Sequence, residues 1–386
     1  MGKELNPNAS QLSRRDFIVR GGAIVGGLAL APTILSAGSA FAGGDVSGDV
    51  SGDVGGKLGV VNWPLYIDKA SKKQFPAQTG INLKYSESLN DNNEFFAKYQ
   101  EPLSKGSKVG FDIAMPTSWM ADRLLKLGYL QKLPLSDIPN AANLSVGFQN
   151  PPWDPTGEYT LPWQTGMTGL AYNIKVTKRE LTSAADLFDP KFKGKVGMLQ
   201  EMRDTVGLTL LSDGIDPATV TYKQAQPSFK KLQKATDSGQ IRRFTGNDYQ
   251  DDLVNGDFAV CVGWSGDVAQ LTLDNPDLKF VIPKEGGMRW ADVMVWVKQS
   301  KAKAQVAAWM NYFYDIDNAA RVESYIKYIS PVAGIEAALT AIDPQFGTNP
   351  LIFPPESVNA RLKTFKMLNS KEEEQFDNRF AKITGS

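Results

Sequence analysis

Four tryptophans in this sequence stand where predicted strands end or turns begin. The carboxyl ends of strands are where open α/β sheets present their binding groups, so indole side chains there are candidates for one shared site. Any single one could be an ordinary core residue, because tryptophan is usually well buried. Together they indicate an aromatic binding surface. They are Trp63, Trp119, Trp264 and Trp290.

Acidic residues lie close to these tryptophans in the sequence. Asp292 is two residues beyond Trp290, in an otherwise apolar segment where a carboxylate is costly unless it is paired. Glu201 and Asp204 follow another predicted strand, and their spacing of three places them on one face if a helix has begun. Simpler roles stay open for both. Asp204 could cap that helix, and Glu201 could pair with Arg203 on the surface.

Indole faces and carboxylates together suit a positively charged ligand. Each indole face attracts a cation by about 0.5–2 kcal/mol, and carboxylates accept charge-assisted hydrogen bonds from ammonium groups. An alkyl amine needs both an apolar aromatic wall and an anionic partner for its charged end. The residue types therefore predict a site for a cationic amine.

The composition argues against other kinds of site. The 386 residues include 42 basic and 42 acidic ones, so there is no excess of positive charge for binding nucleic acid. There is no histidine, which removes Ser-His-Asp and Cys-His catalysis and the commonest transition-metal ligand. We therefore expect no enzyme, no cofactor and no metal site. An exported hydrolase or lyase using Glu201 and Asp204 is the less favoured alternative. The single cysteine, Cys261, lies in an apolar segment and is expected to be a buried core residue.

The N-terminal segment predicts export by the twin-arginine route. Residues 13–18 read Ser-Arg-Arg-Asp-Phe-Ile, a short Gly-rich apolar run occupies 21–30, and Ala-Phe-Ala at 40–42 is a cleavage site. The alternative is a retained membrane anchor, but the apolar run is too short to span a bilayer. We therefore expect residues 1–42 to be removed and the remainder to be periplasmic. The Gly-Asp-Val-Ser repeat at 43–56 predicts a flexible linker.

From about residue 57, short strands alternate with helices, which predicts an α/β protein with a parallel sheet covered on both faces. The pattern starts again near residue 195, so two α/β units with a ligand cleft between them are expected. Strands are predicted at residues 58–63, 82–86, 111–115, 195–199, 258–262, 278–282 and 291–297. Helices are predicted at residues 70–79, 92–104, 119–127, 204–211, 229–236 and 249–254, and over most of the chain after 303.

Five short motifs follow one another along the chain. They are Asn-Trp-Pro-Leu-Tyr at 62–66, Pro-Thr-Ser-Trp at 116–119, Glu-Met-Arg-Asp at 201–204, Gly-Trp-Ser-Gly at 263–266, and Pro-Lys-Glu-Gly-Gly with a following Trp-Ala-Asp at 283–292. In this combination and order, the chain from about residue 58 to 382 resembles the periplasmic spermidine/putrescine-binding proteins of ABC importers, which are extracellular solute-binding proteins.

The resemblance implies a fold and a partner. The fold is the two-lobed periplasmic binding protein fold, in which crossing strands join the lobes and the cleft between them closes on the ligand. Residues 57–165 with about 292–340 would form lobe 1, and residues 166–291 with about 341–386 would form lobe 2. Such a protein is a monomer that delivers a small cationic amine to an inner-membrane ABC permease.

The resemblance also implies ten ligand-binding residues. Trp264 and Trp290 match indoles that sandwich the alkyl chain, and Asp292 matches an aspartate that holds an amino group. The others match a first aromatic pair, a Ser-x-Tyr pair, two acids that bind an amine, and a further tyrosine of the cleft. In that order they are Trp63 and Tyr66, Thr117 and Trp119, Glu201 and Asp204, and Tyr328.

Two positions depart from the family pattern. Leu65 stands where the family often has an acidic residue, and Arg289 stands beside Trp290 where an apolar residue is common. Both changes lower the local negative charge and favour a smaller amine over a long triamine. If Arg203 or Arg289 enters the cleft, a ligand with an ammonium and a carboxylate, such as γ-aminobutyrate, becomes an alternative. Thiamine and ferric iron are further alternatives, although iron normally requires clustered tyrosines.

Overall fold

The computed structural model describes residues 54–385. The export signal predicted at residues 1–42 and nearly all of the linker predicted at 43–56 lie outside the described residues. Within them there are ten strands: β1 Lys57–Val61, β2 Asn82–Ser86, β3 Ile113–Ala114, β4 Thr160–Asn173, β5 Val196–Leu199, β6 Ile241–Thr245, β7 Val260–Trp264, β8 Leu278–Val281, β9 Gly287–Trp296 and β10 Leu362–Lys363.

The same part of the chain contains thirteen α-helices, none of which is long and apolar enough to cross a membrane. They are α1 Lys69–Thr79, α2 Asn92–Ser104, α3 Ser118–Lys126, α4 Ile174–Thr177, α5 Met202–Ser212, α6 Tyr222–Asp237, α7 Tyr249–Asn255, α8 Ser265–Asp274, α9 Lys303–Phe313, α10 Ile316–Ile326, α11 Ile335–Ile342, α12 Glu356–Asn359 and α13 Ser370–Thr384.

The strands form one mixed sheet in the order β2-β1-β3-β9-β4-β7-β5-β6, with β8 and β10 paired to β4 and β9. Neighbours within β1–β3 and within β5–β7 are parallel, as the sequence predicts. The prediction of a parallel sheet is wrong in the middle, where β9 runs antiparallel to β3 and β4, and β4 runs antiparallel to β7. The sheet therefore has two parallel parts joined by two antiparallel strands.

β4 passes from one part of the sheet to the other. Its first residues, from Thr160 to Thr168, pair with β9, and its last residues, from Thr168 to Tyr172, pair with β7. No strand was predicted here. All fourteen residues of β4 are buried, so the strand has no exposed face, and its Pro162, Gly166 and Gly169 are residues that weaken a strand prediction.

Separate hydrophobic cores support the two parts of the sheet. Around β1–β3, one cluster includes Phe75 and Trp309, and another includes Phe95 and Trp119. Around β5–β7, a third cluster includes Cys261, whose side chain is fully buried. The end of the chain contributes to both parts. Ile352 packs with the first part, and a group of apolar residues packs with the second, namely Phe365, Leu368, Phe376, Phe380 and Ile383.

Candidate ligand-binding site

Asp292 lies in the interior of β9 and is 5% exposed. The hydroxyl of Thr117 donates to its Oδ1 at 2.8 Å, and the hydroxyl of Tyr66 donates to its Oδ2 at 3.0 Å. The side-chain amide of Asn92 donates to Thr117 Oγ1 at 2.9 Å and holds that hydroxyl in place. Burial raises the pKa of Asp292 to about 7, against the two hydrogen bonds, and the nearby Asp204 carboxyl raises it further. Both hydrogen-bonding partners are neutral, so the carboxylate charge is available to a cation.

Asp204 is a second buried carboxylate, in the first turn of α5. Thr168 of β4 donates from its hydroxyl to Asp204 Oδ1 at 2.8 Å, and the indole Nε1 of Trp264 donates to Oδ2 at 2.8 Å. The indole Nε1 of Trp290 donates to Thr168 Oγ1 at 3.1 Å. Burial raises the pKa of Asp204 to about 6, although these hydrogen bonds lower it. One carboxylate therefore orients both indoles, directly for Trp264 and through Thr168 for Trp290.

The aromatic rings form an edge-to-face series. The Tyr328 ring centroid lies 5.4 Å from that of Trp290 and 5.5 Å from that of Tyr66. Trp264 packs edge to face on Tyr249 with centroids 5.8 Å apart. Trp63, Trp264 and Trp290 are half-buried, whereas Tyr66 and Tyr328 are buried. The indoles thus keep part of their surface accessible, and two of them, Trp264 and Trp290, pack edge to face against buried tyrosines.

Three of the four candidate tryptophans lie at or just after the end of a strand. Trp63 follows β1, Trp119 is the second residue of α3, which follows β3, and Trp264 is the last residue of β7. For Trp290 this expectation is wrong, because the residue lies inside β9, which begins at Gly287 rather than near Ala291. Trp290 and Asp292 therefore lie two residues apart on one strand, where side chains two apart share a face.

Two glycines let the aromatic rings approach the backbone. A Cβ atom on Gly166 of β4 would overlap the six-membered ring of Trp290, and one on Gly266 of α8 would overlap the ring of Tyr328. The absence of a side chain at both positions is therefore required for the observed ring positions.

Asp267 is a carboxylate of this site that the sequence analysis missed. Tyr328 donates from its hydroxyl to Asp267 Oδ1 at 3.0 Å, and Tyr249 donates to Oδ2 at 3.1 Å. Gln250 also donates to Oδ2, at 2.6 Å. A sequence signal existed, because Asp267 comes three residues after Trp264, near the start of a helix. Thr168 and Tyr249 were missed as well, and their roles depend on contacts between distant segments.

Trp119 and Glu201 contact an arginine of the chain itself. The guanidinium carbon of Arg203 lies 3.8 Å from the Trp119 ring centroid, and its Nη2 donates to Glu373 Oε1 at 2.9 Å. Glu201, rather than Asp204, caps α5, accepting from the Arg203 backbone N–H, and its Oε1 is 4.0 Å from Arg203 Nη1. Burial raises the pKa of Glu201 to about 8, although Arg203 lowers it.

Arg289 contacts α12 rather than the aromatic rings and carboxylates described above. Its guanidinium donates to the Asn359 side chain on α12, and burial lowers its pKa. As a neighbour of Trp290 in β9, it lies on the opposite face of the strand.

Burial also raises the pKa of the Cys261 thiol far above its usual value, so this cysteine is not poised as a nucleophile. Among residues 54–385 there is no group of three or more His, Cys, Asp or Glu side chains that could hold a metal ion.

Comparison with known proteins assigns the chain to a protein family. Residues 70–354 match the family model of the bacterial extracellular solute-binding proteins, which is well over half of the chain. The chain belongs to this family. The resemblance inferred from the five motifs is therefore confirmed.

Relatives of this solute-binding protein are known by sequence and by structure. Spermidine/putrescine-binding periplasmic protein 1 of Haemophilus influenzae is 28% identical, covering 77% of this chain and 80% of the relative. The putrescine-binding periplasmic protein PotF of Escherichia coli is also 28% identical, covering 81% and 87%. The crystal structure of the spermidine/putrescine ABC transporter substrate-binding protein PotD from Streptococcus pneumoniae, in complex with calcium and HEPES, superposes with a TM-score of 0.73 at 23% identity, covering 85% and 98%.

These matches confirm the expected fold, an α/β two-lobed periplasmic binding protein in which crossing strands join the lobes. In this solute-binding protein, β4 is the strand that pairs with β9 at its start and with β7 at its end. The family and the relatives are solute-binding proteins, which are not enzymes, and the names of the two sequence relatives place them in the periplasm.

Proposed function

We propose that this protein is the substrate-binding component of an ABC importer, which captures a polyamine such as putrescine or spermidine, or a related small amine. One observation carries the proposal. Within residues 54–385, two buried carboxylates, Asp292 and Asp204, receive hydrogen bonds only from neutral donors, and half-buried indoles stand beside them. The sequence relatives with spermidine or putrescine in their names support the same ligand class.

Binding in this proposal makes and breaks no covalent bond. Ammonium groups bind at Asp292 and Asp204 by charge-assisted hydrogen bonds, and the alkyl chain lies against Trp264 and Trp290. Asp267 orients the rings of Tyr249 and Tyr328, whose hydroxyls donate to it. These contacts must offset desolvation of the amine and the loss of freedom on closure of the lobes about β4 and β9.

The remaining features of the protein belong to this proposal. Its lobes are residues 57–165 with about 292–340, and 166–291 with about 341–386. It is exported by the twin-arginine route, works in the periplasm as a monomer and binds no nucleic acid. It has no enzymatic activity, and it delivers the amine to an inner-membrane permease.

A ligand panel tests the proposal with the mature chain, residues 43–386. Thermal unfolding is measured with putrescine, spermidine, γ-aminobutyrate, thiamine and ferric iron, and each hit is measured by calorimetry. A ligand present at 100 times its Kd stabilises the native state by about 2.7 kcal/mol. We expect stabilisation by an alkyl amine and no change in the amine after long incubation. Stabilisation by thiamine or iron alone, or turnover of the amine, would refute the proposal.

A further inference from the structure

Gln164 of β4 lies directly opposite Asp292 of β9 in the antiparallel sheet. Side chains of directly opposite residues lie on the same face of the sheet, with Cβ atoms about 4.5–5.5 Å apart. The pairing is regular from Gln164 to Thr168. Further along the same face of β4, the Trp290 ring lies against Gly166, and its indole donates to Thr168. Because alternate residues of a strand share a face, Gln164 belongs to the face that carries the candidate site.

The side chain of Gln164 has a buried acceptor that no group uses. The residue is 4% exposed, and its Oε1 has no hydrogen-bond partner among the described residues. A buried amide oxygen without a donor is unfavourable, because it has lost its bond to water and gained nothing in return. A donor that enters from outside would therefore be stabilised at this position.

A primary ammonium group requires more acceptors than Asp292 can provide. It has three N–H donors, whereas an ionised carboxylate has about four acceptor positions. Two of these already accept hydrogen bonds, from the hydroxyls of Thr117 and Tyr66. At least one N–H of an ammonium group at Asp292 therefore needs a different acceptor. The unused oxygen of Gln164 belongs to the residue across the strands.

A small closed cavity also borders Gln164, with space for about one water molecule. Ser330 contributes to its lining, and most of the other walls are apolar, among them Phe313 and Val322. A water molecule in this cavity is the alternative donor to Oε1, and it would give Gln164 a purely structural role. The ammonium group is favoured because it is the stronger donor and because its carboxylate partner is the residue opposite Gln164.

We propose that Gln164 is a specificity-determining residue whose Oε1 accepts a hydrogen bond from the ammonium group held by Asp292. One charged and one neutral acceptor together then select a primary ammonium group over an N-methylated one, which has fewer N–H donors and bulkier substituents. This inference rests on the proposed amine binding and adds the class of amine that the site prefers.

The test is calorimetric titration of putrescine and N,N,N′,N′-tetramethylputrescine into the wild-type mature protein and two variants. Gln164→Met keeps an unbranched side chain of similar length but removes the acceptor. Gln299→Met is the matched control, because Gln299 Oε1 is also buried without a partner among residues 54–385, and the residue lies in the segment after β9.

We expect the wild type to prefer putrescine. The ratio of the tetramethylputrescine Kd to the putrescine Kd should fall about tenfold in Gln164→Met, the scale of one hydrogen bond to a charged group, and should stay within about twofold of wild type in Gln299→Met. The fall should come mainly from weaker putrescine binding, since the single N–H of each methylated nitrogen can still bind a carboxylate. The melting temperature of unliganded Gln164→Met should not fall, because the variant no longer buries an unpaired oxygen.

Several outcomes would overturn the inference. Equal affinity of the wild type for the two amines would do so, and so would an unchanged ratio in a folded Gln164→Met protein. An unchanged ratio with a lower melting temperature would assign Gln164 to the cavity water instead. An equal fall in Gln299→Met would show that the effect is not specific to Gln164. If Gln164→Met does not fold, Gln164→Leu provides the same comparison. Failure of the wild type to bind either amine would refute the proposed function itself, whereas putrescine binding without discrimination would refute only the role of Gln164.

Discussion

Replacing Asp292 by asparagine removes one charge from the centre of the site and changes little else. The Thr117 hydroxyl can still donate to the retained oxygen, and the Tyr66 hydroxyl can rotate to accept from the new amide. Asparagine has the same shape, so the packing of β9 is preserved. The Asp292→Asn variant should therefore fold and should differ mainly in its affinity for a cation.

The expected loss follows from the kind of contact removed. A hydrogen bond to a charged group is worth about 1.5–3 kcal/mol, which corresponds to roughly a 10- to 150-fold rise in Kd. The pH dependence is a second signature. Burial raises the pKa of Asp292 to about 7, so below that pH the unliganded carboxyl holds a proton that an ammonium must displace. Wild-type affinity should fall by up to about tenfold per pH unit below 7. In the variant this contribution is absent.

Titration calorimetry with putrescine at pH 6.5, 7.5 and 8.5 measures both effects. Asp251→Asn is a matched control, because Asp251 is exposed on α7 and the substitution removes the same charge from the surface. The control should bind like the wild type. If folded Asp292→Asn binds within about twofold of the wild type at pH 8.5, Asp292 does not hold an ammonium group and the reasoning is refuted.

Further predictions concern Trp290, Gly166 and Glu201. Trp290→Ala should weaken amine binding by about 0.5–2 kcal/mol through loss of the indole face, measured by calorimetry. Gly166→Ala should reproduce much of this loss and alter tryptophan fluorescence, because its Cβ would displace the Trp290 ring; unchanged affinity and fluorescence would contradict the geometry. Glu201→Gln should stabilise the unliganded protein at pH 8 more than at pH 5. The folded carboxyl, with a pKa raised to about 8 by burial, keeps a proton that the unfolded chain loses above about 4.5, so wild-type stability falls as pH rises through this window. Equal melting-temperature shifts at both pH values would argue against it.

Local pattern predicted the outer elements of the fold well. α2 and β2 have the predicted bounds, Asn92–Ser104 and Asn82–Ser86. The apolar residues of α2 recur at helical spacing, and those of β2 alternate with polar ones, so that exposed and half-buried positions alternate along most of the strand. Strands β4 and β9 were harder to predict. β4 is buried on both faces and contains Pro162, Gly166 and Gly169, which weaken a strand prediction. The first residues of β9 resemble a turn because they follow Gly286 and include Gly287. The antiparallel middle of the sheet depends on these two strands and could not be predicted without them.

The candidate site also contains some residues that local sequence identifies and others that only tertiary contacts bring together. Asp292 and Asp204 could be identified from the sequence because each is close along the chain to an aromatic residue or a strand end. The hydroxyl of Thr168, which links Trp290 to Asp204, could not, since three distant segments meet there. Arg203 was recognised only as a partner of Glu201 or a possible entrant to the cleft. Its stacking on Trp119 depends on how α3 and α5 pack.

The buried carboxylates have a consequence for how ligand capture can be detected. Histidine usually provides the buffering capacity of a protein near neutrality, and this sequence has none. Among the side chains, carboxyl groups whose pKa burial has raised into the range from 6 to 8, with Asp204 and Asp292 among them, exchange protons with the medium there. Arrival of a cation should expel those protons into solution. A weakly buffered sample with an indicator dye would then report occupancy as a drop in pH, without any label on the protein or the amine.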